Sequence, residues 1–433
     1  MIRKDDSASY AEIGEWAHAL AADLWSFPRS LTGIGVRKTL DRLSREIDGL
    51  QRYQVPTGYR AFDWAVPNEW NLNRAWIETP DGSVICDTDV HNLHVVGYSV
   101  PCAVTLGLAE LKPHLYSQPD LADAIPYVTS YYNRDWGFCI TENEKRSLGD
   151  GRYRAVVDAT LEPGHLEYAD VVIPGERNDE ILFSTYLCHP SMANNELSGL
   201  VTVAALARMV AAMPERKYTY RFIFVPETIG ALVYLSDHLD HLKRSVMAGF
   251  VVTCVGDERA RSYMPSRWGN TLADKVALAA LEAEGIEFET YTFLERGSDE
   301  RQFCAPGVDL PFCSVMASKY GTFPEYHTSA DDLEFVTPKG LAASFSIYWH
   351  VINLLEEGDR PRASVLGEPQ LGRRGLYSAL SRKGSSASSR LYLNVLAYSD
   401  GSMDTGEMSK LFGVSHEDVK AAVAVLRGVE LLR

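Results

Sequence analysis

Four apolar runs of strand length alternate with helical segments between residues 170 and 355, and this alternation restricts the fold more than any other feature. The runs lie at residues 181–187, 220–225, 250–255 and 310–316, and the helical segments lie at residues 200–212, 231–242, 271–284 and 341–355. Strands that alternate with helices in this way build βαβ units, whose strands run parallel. The pattern predicts an α/β fold with a mainly parallel mixed sheet flanked by helices.

Polar residues follow three of these runs directly or after a short loop. His189 follows the first run, Glu227 follows the second, and His327 comes shortly after the fourth. The carboxyl ends of parallel strands meet at one edge of a sheet, where the ligands of open α/β folds bind. We therefore expect these three side chains to converge.

Composition argues against one class of function. The chain of 433 residues is 46% hydrophobic, which is enough material for two or three domains. Its formal net charge of -16 argues against a general binder of nucleic-acid backbones, because such binding needs a surplus of Lys and Arg. We expect a soluble globular protein whose partner is a small molecule or a peptide. The sequence leaves a homo-oligomer open.

The chain shows no targeting or membrane signal. Its start, Met1-Ile-Arg-Lys-Asp-Asp6, is polar, and no run approaches the roughly 20 apolar residues of a membrane span. The seven cysteines are scattered and form no C-x-x-C pair, so neither a disulfide framework nor a thiolate zinc site is indicated. We expect a cytoplasmic protein without membrane contact.

Changes in pattern divide the chain into three predicted domains. Short strand-like runs and turn signals occupy residues 61–166 and predict a β-rich inserted domain. Residues 1–60 and 167–360, on either side of it, are predicted to form one catalytic domain. A linker with Pro361 and Pro369, followed by the Ser-rich stretch 385–389, belongs to a third domain, residues 361–433.

The third domain carries the pattern of a winged helix. Helices are predicted at residues 391–398, 405–411 and 416–426. Glu417 and Asp418 stand where a recognition helix would meet DNA, and their negative charge disfavours that contact. The charges favour a winged helix used for packing or dimerisation over a DNA reader.

Several stretches of the catalytic region together resemble the co-catalytic zinc aminopeptidases. They include Cys-His-Pro at residues 188–190, Ala-Asn-Asn-Glu-Leu-Ser-Gly at residues 193–199, Pro-Glu-Thr-Ile-Gly at residues 226–230 and Glu-Tyr-His-Thr at residues 325–328. Within that family, the chain is most similar to an aminopeptidase-like group with a β-rich insert and a C-terminal winged helix. The resemblance covers most of the chain and implies the zinc aminopeptidase fold.

In that family, two metal ions share a bridging carboxylate, and each takes a histidine and a further carboxylate. The resemblance places His189 and His327 at the histidine positions and Glu227 at the general-base position. The other three anionic positions hold neutral residues: Asn195, Thr228 and Thr253. Two cations a few Å apart repel each other unless carboxylates neutralise them, so a metal pair is not expected.

One zinc ion is the expectation instead, because a catalytic zinc site needs about three protein ligands. His189 and His327 would supply two of them. Glu196, next to the bridging position, is the candidate for the third. Asp257 and Asp299 are alternative carboxylates on nearby loops.

The resemblance implies a metal-dependent hydrolase that cleaves an N-terminal residue or another small amide. Glu227 would take a proton from water and pass it to the leaving nitrogen, and Tyr326 would donate a hydrogen bond to the developing oxyanion. Four residues are candidates for orienting ligands or binding substrate: Asn194, Asn195, Asp299 and Arg301. Arg301 suits a substrate carboxylate because a guanidinium can pair with both oxygens.

Two other hypotheses stay open. An acyl-transfer or cyclising enzyme on the same scaffold would use one zinc ion without an attacking water, as glutaminyl cyclases do. A metal-free binding protein would use the same site to recognise a ligand. Residues 297–301 also have a purely structural interpretation, as a tight turn held by an Asp–Arg pair.

Overall fold

The computed structural model describes residues 7–376 and 387–433. The polar start, Met1 to Asp6, and part of the Ser-rich stretch 385–389 lie outside the described residues. Packing divides the chain into two compact units, Met1–His350 and Val351–Arg433. The division of the first unit into a catalytic domain and a domain inserted at residues 61–166 stays a prediction.

Helices and strands alternate along most of the chain. The helices are α1 (Ser7–Trp25), α2 (Ile34–Leu43), α3 (Leu108–Leu111), α4 (Glu142–Ser147), α5 (Ser198–Ala211), α6 (Ile229–Ser245), α7 (Leu272–Glu284), α8 (Glu300–Phe303), α9 (Pro338–Glu357), α10 (Ala387–Ala397), α11 (Thr405–Phe412) and α12 (His416–Gly428). The strands are β1 (Gln51–Pro56), β2 (Arg60–Ala61), β3 (Trp64–Ala65), β4 (Glu69–Glu78), β5 (Val84–Ile85), β6 (Cys102–Gly107), β7 (Leu115–Tyr116), β8 (Phe138–Cys139), β9 (Arg152–Glu162), β10 (His165–Ile173), β11 (Glu180–Tyr186), β12 (Thr219–Val225), β13 (Val246–Val251), β14 (Ser262–Met264), β15 (Glu289–Thr290) and β16 (Phe312–Met316). No helix within the described ranges has both the length and the apolar character that a bilayer crossing requires.

A large mixed sheet forms the centre of the first unit. Its strand order is β1-β10-β12-β11-β13-β16-β14-β15. The middle strands β12, β11, β13 and β16 run parallel to one another. The pairs β1–β10, β10–β12 and β14–β16 are antiparallel, and the edge strand β15 pairs with β14 in parallel. The predicted mainly parallel mixed sheet flanked by helices is confirmed.

Complete burial explains why the central strands are apolar runs without alternation. Every residue of β11 and β12 is buried, as expected for strands covered on both faces. Phe183 pairs in register with Phe222 and with Phe250, and its ring stacks on theirs at centroid distances of 5.3 and 5.1 Å. These stacked rings help to set the register of three neighbouring strands.

The strand predicted at residues 250–255 lies earlier in the chain than expected. The structure places β13 at Val246–Val251, directly after α6. Hydropathy does not mark where pairing ends, because the stretch stays mainly apolar up to Val255. Cys254, with a φ of 53°, has left the extended conformation. Thr253 therefore lies in the loop at the carboxyl end of the strand.

The segment between β1 and β10 forms a second, antiparallel sheet with the order β5-β4-β9-β6. Trp70 and Tyr98 from this segment belong to the same hydrophobic cluster as Ile223 of the central sheet. Tyr127 N donates a hydrogen bond of 2.8 Å to His327 O. The segment thus shares a core with the central sheet and reaches the loops at its carboxyl edge.

The second unit contains the three predicted C-terminal helices, α10, α11 and α12. Their core includes Val395, Met408, Val419 and Leu426. Asp404 and Ser415 accept capping hydrogen bonds at the starts of α11 and α12. The observed bounds differ from the predicted ones by four residues or fewer, with the largest shift at the start of α10.

An ion pair joins α2 to the second sheet. Arg37 Nη2 lies 2.7 Å from Glu69 Oε1, and Asn71 and the His165 N–H also donate to Glu69. Burial raises the pKa of Glu69, but the Arg37, Asn71 and His165 hydrogen bonds outweigh burial and lower the pKa from 4.5 to about 2. The ionised carboxylate therefore stabilises the fold above pH 4.5, and this contribution is lost as the pH falls toward 2.

We expect Glu69→Gln to lower the free energy of unfolding at pH 7. The difference from the wild type should narrow as the pH falls from 4.5 toward 2, because the wild-type carboxylate then becomes protonated as well. Urea unfolding at a series of pH values measures the difference. A difference that does not change with pH would show that the charge of Glu69 is not what stabilises the fold.

Candidate active site

Loops at the carboxyl ends of the parallel strands carry the predicted site residues. His189 follows β11, Glu227 follows β12, and His327 follows β16. The ring centroids of His189 and His327 are 5.5 Å apart, and His189 Nε2 lies 3.8 Å from Glu227 Oε2. The structure brings these three side chains together.

Strained backbone conformations occur in each of these loops. Ser191, Thr228, Cys254 and His327 have φ values between 46° and 62°. Such conformations cost roughly 1–3 kcal/mol each for residues with a Cβ, and they persist at functional sites where the surroundings enforce them. The packing around the loops holds them in shapes that they would not adopt alone.

Glu196 lies behind His189 and receives hydrogen bonds on both carboxylate oxygens. Oε2 accepts from His189 Nδ1 at 2.9 Å and from Cys188 N at 2.6 Å, and it also accepts from His189 N. Oε1 accepts from Arg29 Nε at 2.7 Å, and both charged side chains are 0% exposed. Because Nδ1 of His189 faces Glu196, the nitrogen that His189 can offer to a ligand is Nε2.

Burial and charge act in opposite directions on His189. Burial lowers its pKa, but the hydrogen bond and the charge of Glu196 outweigh burial, so the pKa is raised. The carboxylate therefore favours a proton on Nδ1. This is the usual arrangement in which a carboxylate orients a histidine from behind.

The donor atoms of Cys188, His189 and Glu196 lie within 4.8 Å of one another and form a possible metal group among the described residues. A cation bound between these three residues would be repelled by the Arg29 guanidinium. It would also compete with the N–H groups that donate to Glu196. Burial also raises the pKa of the Cys188 thiol well above its usual range, which disfavours a thiolate ligand. The sequence predicts Glu196 as the third ligand, but its carboxylate faces Nδ1 of His189 rather than Nε2.

His327 has a ring nitrogen without a partner. Its Nε2 is buried, and no hydrogen-bond partner for it is found within the described part of the chain. The Tyr326 ring stacks on the His327 ring at 3.9 Å, and the Tyr127 ring meets it edge-on at 5.2 Å. Burial, with a smaller effect from His189, lowers the pKa of His327 to about 3, so the ring is neutral at pH 7. A neutral, buried and unpaired imidazole nitrogen is available to a ligand.

Glu227 precedes Thr228, whose backbone is strained. Asp299 and Arg301, which the sequence predicts as substrate-binding residues, hold Thr228 in place. Thr228 N donates to Asp299 Oδ1 at 2.8 Å, and Arg301 Nη2 donates to Thr228 Oγ1 at 3.1 Å. Arg301 Nη2 also lies 3.7 Å from Glu227 Oε1. Burial raises the pKa of Glu227, against the opposing charges of His189 and Arg301. Asp299 is fully buried beneath this loop, whereas the Arg301 side chain is 39% exposed.

Asn194 joins two loops and has no free polar atom on its side chain. Its Oδ1 accepts from Gly256 N at 2.7 Å, and its Nδ2 donates to Asp257 Oδ2 at 2.8 Å. Asp331 accepts hydrogen bonds from the backbone N–H groups of both Asn194 and Asn195. Asn194 and Asp257 are therefore occupied in fixing the loops after β11 and β13.

Hydrogen bonds connect Asn195 and Thr253, two of the neutral residues at the positions of the missing carboxylates. Thr253 Oγ1 donates to Asn195 O at 2.7 Å and lies 2.6 Å from Tyr186 Oη. Tyr186 Oη in turn lies 3.3 Å from the Asn195 carboxamide. These groups carry no charge that could balance a second cation.

Three residues of the site carry no signal in the sequence. Arg29 meets Glu196 across a separation of 167 residues, and nothing in its own surroundings marks it. Tyr127 comes from the predicted insertion, and its ring lies 5.1 Å from that of His189. Tyr186 ends a fully buried strand, so its sequence context is that of a core residue.

The sheet order and the site together define an aminopeptidase-like α/β protein with a C-terminal winged helix. The chain belongs to the family described as "Domain of unknown function (DUF4910)", whose model matches residues 18–358. Residues 360–433 match the model of a winged helix-turn-helix. The predicted resemblance and the predicted winged helix are confirmed.

A relative from Clostridium acetobutylicum is 40% identical over 429 residues, which cover 98% of this chain and 97% of the relative. It is provisionally named a polysaccharide biosynthesis protein with an aminopeptidase-like domain. A crystal structure of a provisionally assigned peptidase from the same organism has a TM-score of 0.81 at 39% identity, and the match covers 98% of this chain and 97% of that one.

Zinc aminopeptidases share the fold at low sequence identity. The enzyme from Bacillus subtilis has a TM-score of 0.55 at 15% identity, and the match covers 79% of this chain and 94% of that one. An aminopeptidase from Aneurinibacillus sp. strain AM-1 has a TM-score of 0.51 at 14% identity, over 78% of this chain and 93% of that one. These neighbours show a common architecture.

Proposed function

We propose that this protein is a metal-dependent hydrolase of aminopeptidase type, which uses one zinc ion to cleave an N-terminal residue or another small amide. The observation that carries the proposal is the buried, unpaired Nε2 of His327 beside the His189 ring. A buried polar atom is unfavourable unless a partner satisfies it. Zinc is a suitable partner, because imidazole nitrogen is one of its usual donors.

The residues present fit one ion rather than two. His189 Nε2 and His327 Nε2 would hold the ion, and Glu196 would orient His189 through Nδ1. Asn195 and Thr253 bring no charge to offset the repulsion between two cations. When bound, the ion would polarise the amide carbonyl and lower the pKa of a water molecule.

Glu227 is the proposed general base. Its Oε2 faces His189 Nε2 at 3.8 Å, and burial raises the pKa of its carboxyl group, which makes the carboxylate a better proton acceptor. Oε2 would accept a proton from the attacking water and return it to the leaving nitrogen. Arg301, on the Oε1 side, would keep the carboxylate in place.

Tyr326 is the proposed hydrogen-bond donor to the oxyanion. Its ring stacks on His327, and burial raises the pKa of its hydroxyl, so the proton is retained. Arg301, which is partly exposed, is the proposed partner of a substrate carboxylate. Asn194 and Asp299 would act indirectly, by holding the loops that carry the other residues.

The position of the Tyr127 ring favours a small substrate. Its ring lies 5.1 Å from the His189 ring and 5.2 Å from the His327 ring, so we infer that it narrows the space beside them. The name of the Clostridium relative, a polysaccharide biosynthesis protein, adds an amide carried on a sugar to the candidate substrates. An N-terminal peptide bond and a sugar-linked amide present the same carbonyl group to the attacking water.

Incorporation of heavy oxygen from labelled water tests the reaction class. Zinc-loaded protein would be assayed on aminoacyl-4-nitroanilides and on N-acylated amino sugars, with mass spectrometry of the carboxylate product. Hydrolysis predicts one solvent oxygen in that product. A converted substrate without the label would contradict hydrolysis and favour acyl transfer or cyclisation. Conversion that is unaffected by chelation and by added zinc would contradict the metal.

The predicted lack of a nucleic-acid partner and the predicted cytoplasmic location stay predictions, and so does a homo-oligomer. Glu417 and Asp418 are exposed in the first turn of α12, where their charges oppose contact with a phosphate backbone. This supports a packing role for the winged helix.

A further inference from the structure

Tyr186, Thr253 and Asn195 form a small buried hydrogen-bond group beside the histidines. The exposed fractions are 2% for Tyr186 and 1% for each of the other two. With Tyr186 Oη donating to Asn195 Oδ1, the Nδ2 atom of Asn195 is buried and has no partner among the residues that the structure describes. The three side chains do not have enough protons for this arrangement.

The backbone oxygen of Asn195 fixes where the Thr253 proton lies. Asn195 O can only accept, so the Thr253 hydroxyl must donate its one proton in the 2.7 Å contact with it. Thr253 Oγ1 can then only accept from Tyr186 Oη, at 2.6 Å. Because the phenol has one proton, it has none left for the 3.3 Å contact with the Asn195 side chain. That contact must be donated by the carboxamide nitrogen.

The carboxamide of Asn195 is therefore turned, with Nδ2 toward Tyr186 and Oδ1 as the buried atom without a partner. The oxygen and nitrogen of a carboxamide have the same shape, so their assignment follows from the hydrogen-bond network. The free atom is then an electron-pair donor instead of an N–H group.

The position of this oxygen relates it to the proposed metal site. The Tyr186 ring, whose hydroxyl bonds the carboxamide, lies 5.3 Å from the His189 ring. The next residue, Glu196, holds His189 Nδ1. Asn195 Oδ1, His189 Nε2 and His327 Nε2 are then three buried donors with lone pairs to offer, which is the protein ligand number of a catalytic zinc ion.

We propose that Asn195 Oδ1 is the third protein ligand of the single metal ion, and that Tyr186 and Thr253 are positioning residues that keep this oxygen turned toward it. The proposal rests on the metal-dependent function proposed above. It gives the ion three uncharged ligands. Such a set leaves more of the ion's charge unbalanced than carboxylates would, so binding is weaker and polarisation of a bound carbonyl is stronger.

Replacing Thr253 tests this orientation without touching a proposed ligand. In Thr253→Val, the Tyr186 proton loses its acceptor and passes to Asn195 Oδ1, so the carboxamide turns and presents its N–H groups to the ion. We expect zinc affinity, measured by competition with a chromophoric chelator, to fall by about tenfold or more, as is typical when a residue that orients a ligand is lost. Thr253→Ser keeps the hydroxyl and should bind zinc within about twofold of the wild type.

Asn195→Asp provides a second readout if Thr253→Val does not fold. A carboxylate at this position should tighten zinc binding by about tenfold or more, because it adds a charge to the same ligand position. Equal affinity in Thr253→Val and the wild type, or no tightening in Asn195→Asp, would overturn the assignment of Asn195 while leaving the metal site in place. A wild-type protein that binds no zinc would overturn the proposed function and this proposal together.

Discussion

Glu227→Gln is expected to reduce turnover by on the order of 10²- to 10⁴-fold. Glutamine has the shape of glutamate and keeps an oxygen near Arg301, but it cannot take a proton from water. The proposed metal ligands are ring nitrogens and a carboxamide oxygen, so zinc content should match that of the wild type. Hydrolysis of a chromogenic amide and metal analysis on the same preparation measure both effects.

Glu284→Gln is a matched control for that substitution. The Glu284 side chain is 19% exposed and pairs with His350 at 3.3 Å, compared with 22% exposure and a histidine contact for Glu227. The control should keep wild-type activity. Loss of zinc together with activity in Glu227→Gln would make Glu227 a metal ligand, and wild-type activity in Glu227→Gln would remove it from the mechanism.

Arg29→Met is expected to lower the free energy of unfolding by about 3–5 kcal/mol. The guanidinium faces Glu196 at 2.7 Å with both side chains fully buried, so methionine would leave a buried carboxylate without its counter-charge. Adding Glu196→Gln removes that charge, and the double variant should lose less stability than the sum of the two single variants. Urea unfolding, followed by tryptophan fluorescence with a chelator present to remove bound metal, measures the difference in the free energy of unfolding.

Tryptophan fluorescence reports on the unit that contains Arg29 and Glu196, because all eight tryptophans lie in this first unit. Lys339→Met is the control: it breaks the pair with Glu258 on the surface, where the Lys339 side chain is 83% exposed, and should cost about 0–1 kcal/mol. Additive losses at Arg29 and Glu196 would show that the two charges do not depend on each other.

The sequence predicts the central sheet well, because its buried strands form recognisable apolar runs. A strand buried on both faces is mainly apolar and shows no regular alternation, and the residues of β11, β12 and β16 therefore stand out. The sequence does not mark the end of β13, because apolar residues continue into the loop past Val251. Hydropathy records burial, and a buried loop is apolar as well.

The site is only partly predictable for a related reason. Motif order points to His189, Glu227 and His327 because each follows a strand of the sheet. The setting of Glu196 depends on Arg29, which comes from a loop between α1 and α2 and has no periodic or motif signal. Long-range contacts of this kind decide whether a carboxylate faces a metal ion or supports its ligand, and sequence spacing does not contain them.

The role of Asn195 is a second example. The sequence shows that a neutral residue replaces a carboxylate at this position. Which of its two side-chain atoms is free depends on Tyr186 and Thr253, which lie at or just beyond the ends of two different strands. Only the proton count across all three residues distinguishes an N–H donor from an oxygen ligand.

A crystal structure of zinc-soaked protein, with anomalous-difference maps on both sides of the zinc edge, would show the number of ions and their ligands together. We expect a single zinc peak within bonding distance of His189 Nε2, His327 Nε2 and Asn195 Oδ1, with Glu196 still bonded to His189 Nδ1. Two peaks, a peak bound to Glu196, or no peak at the histidines would contradict it.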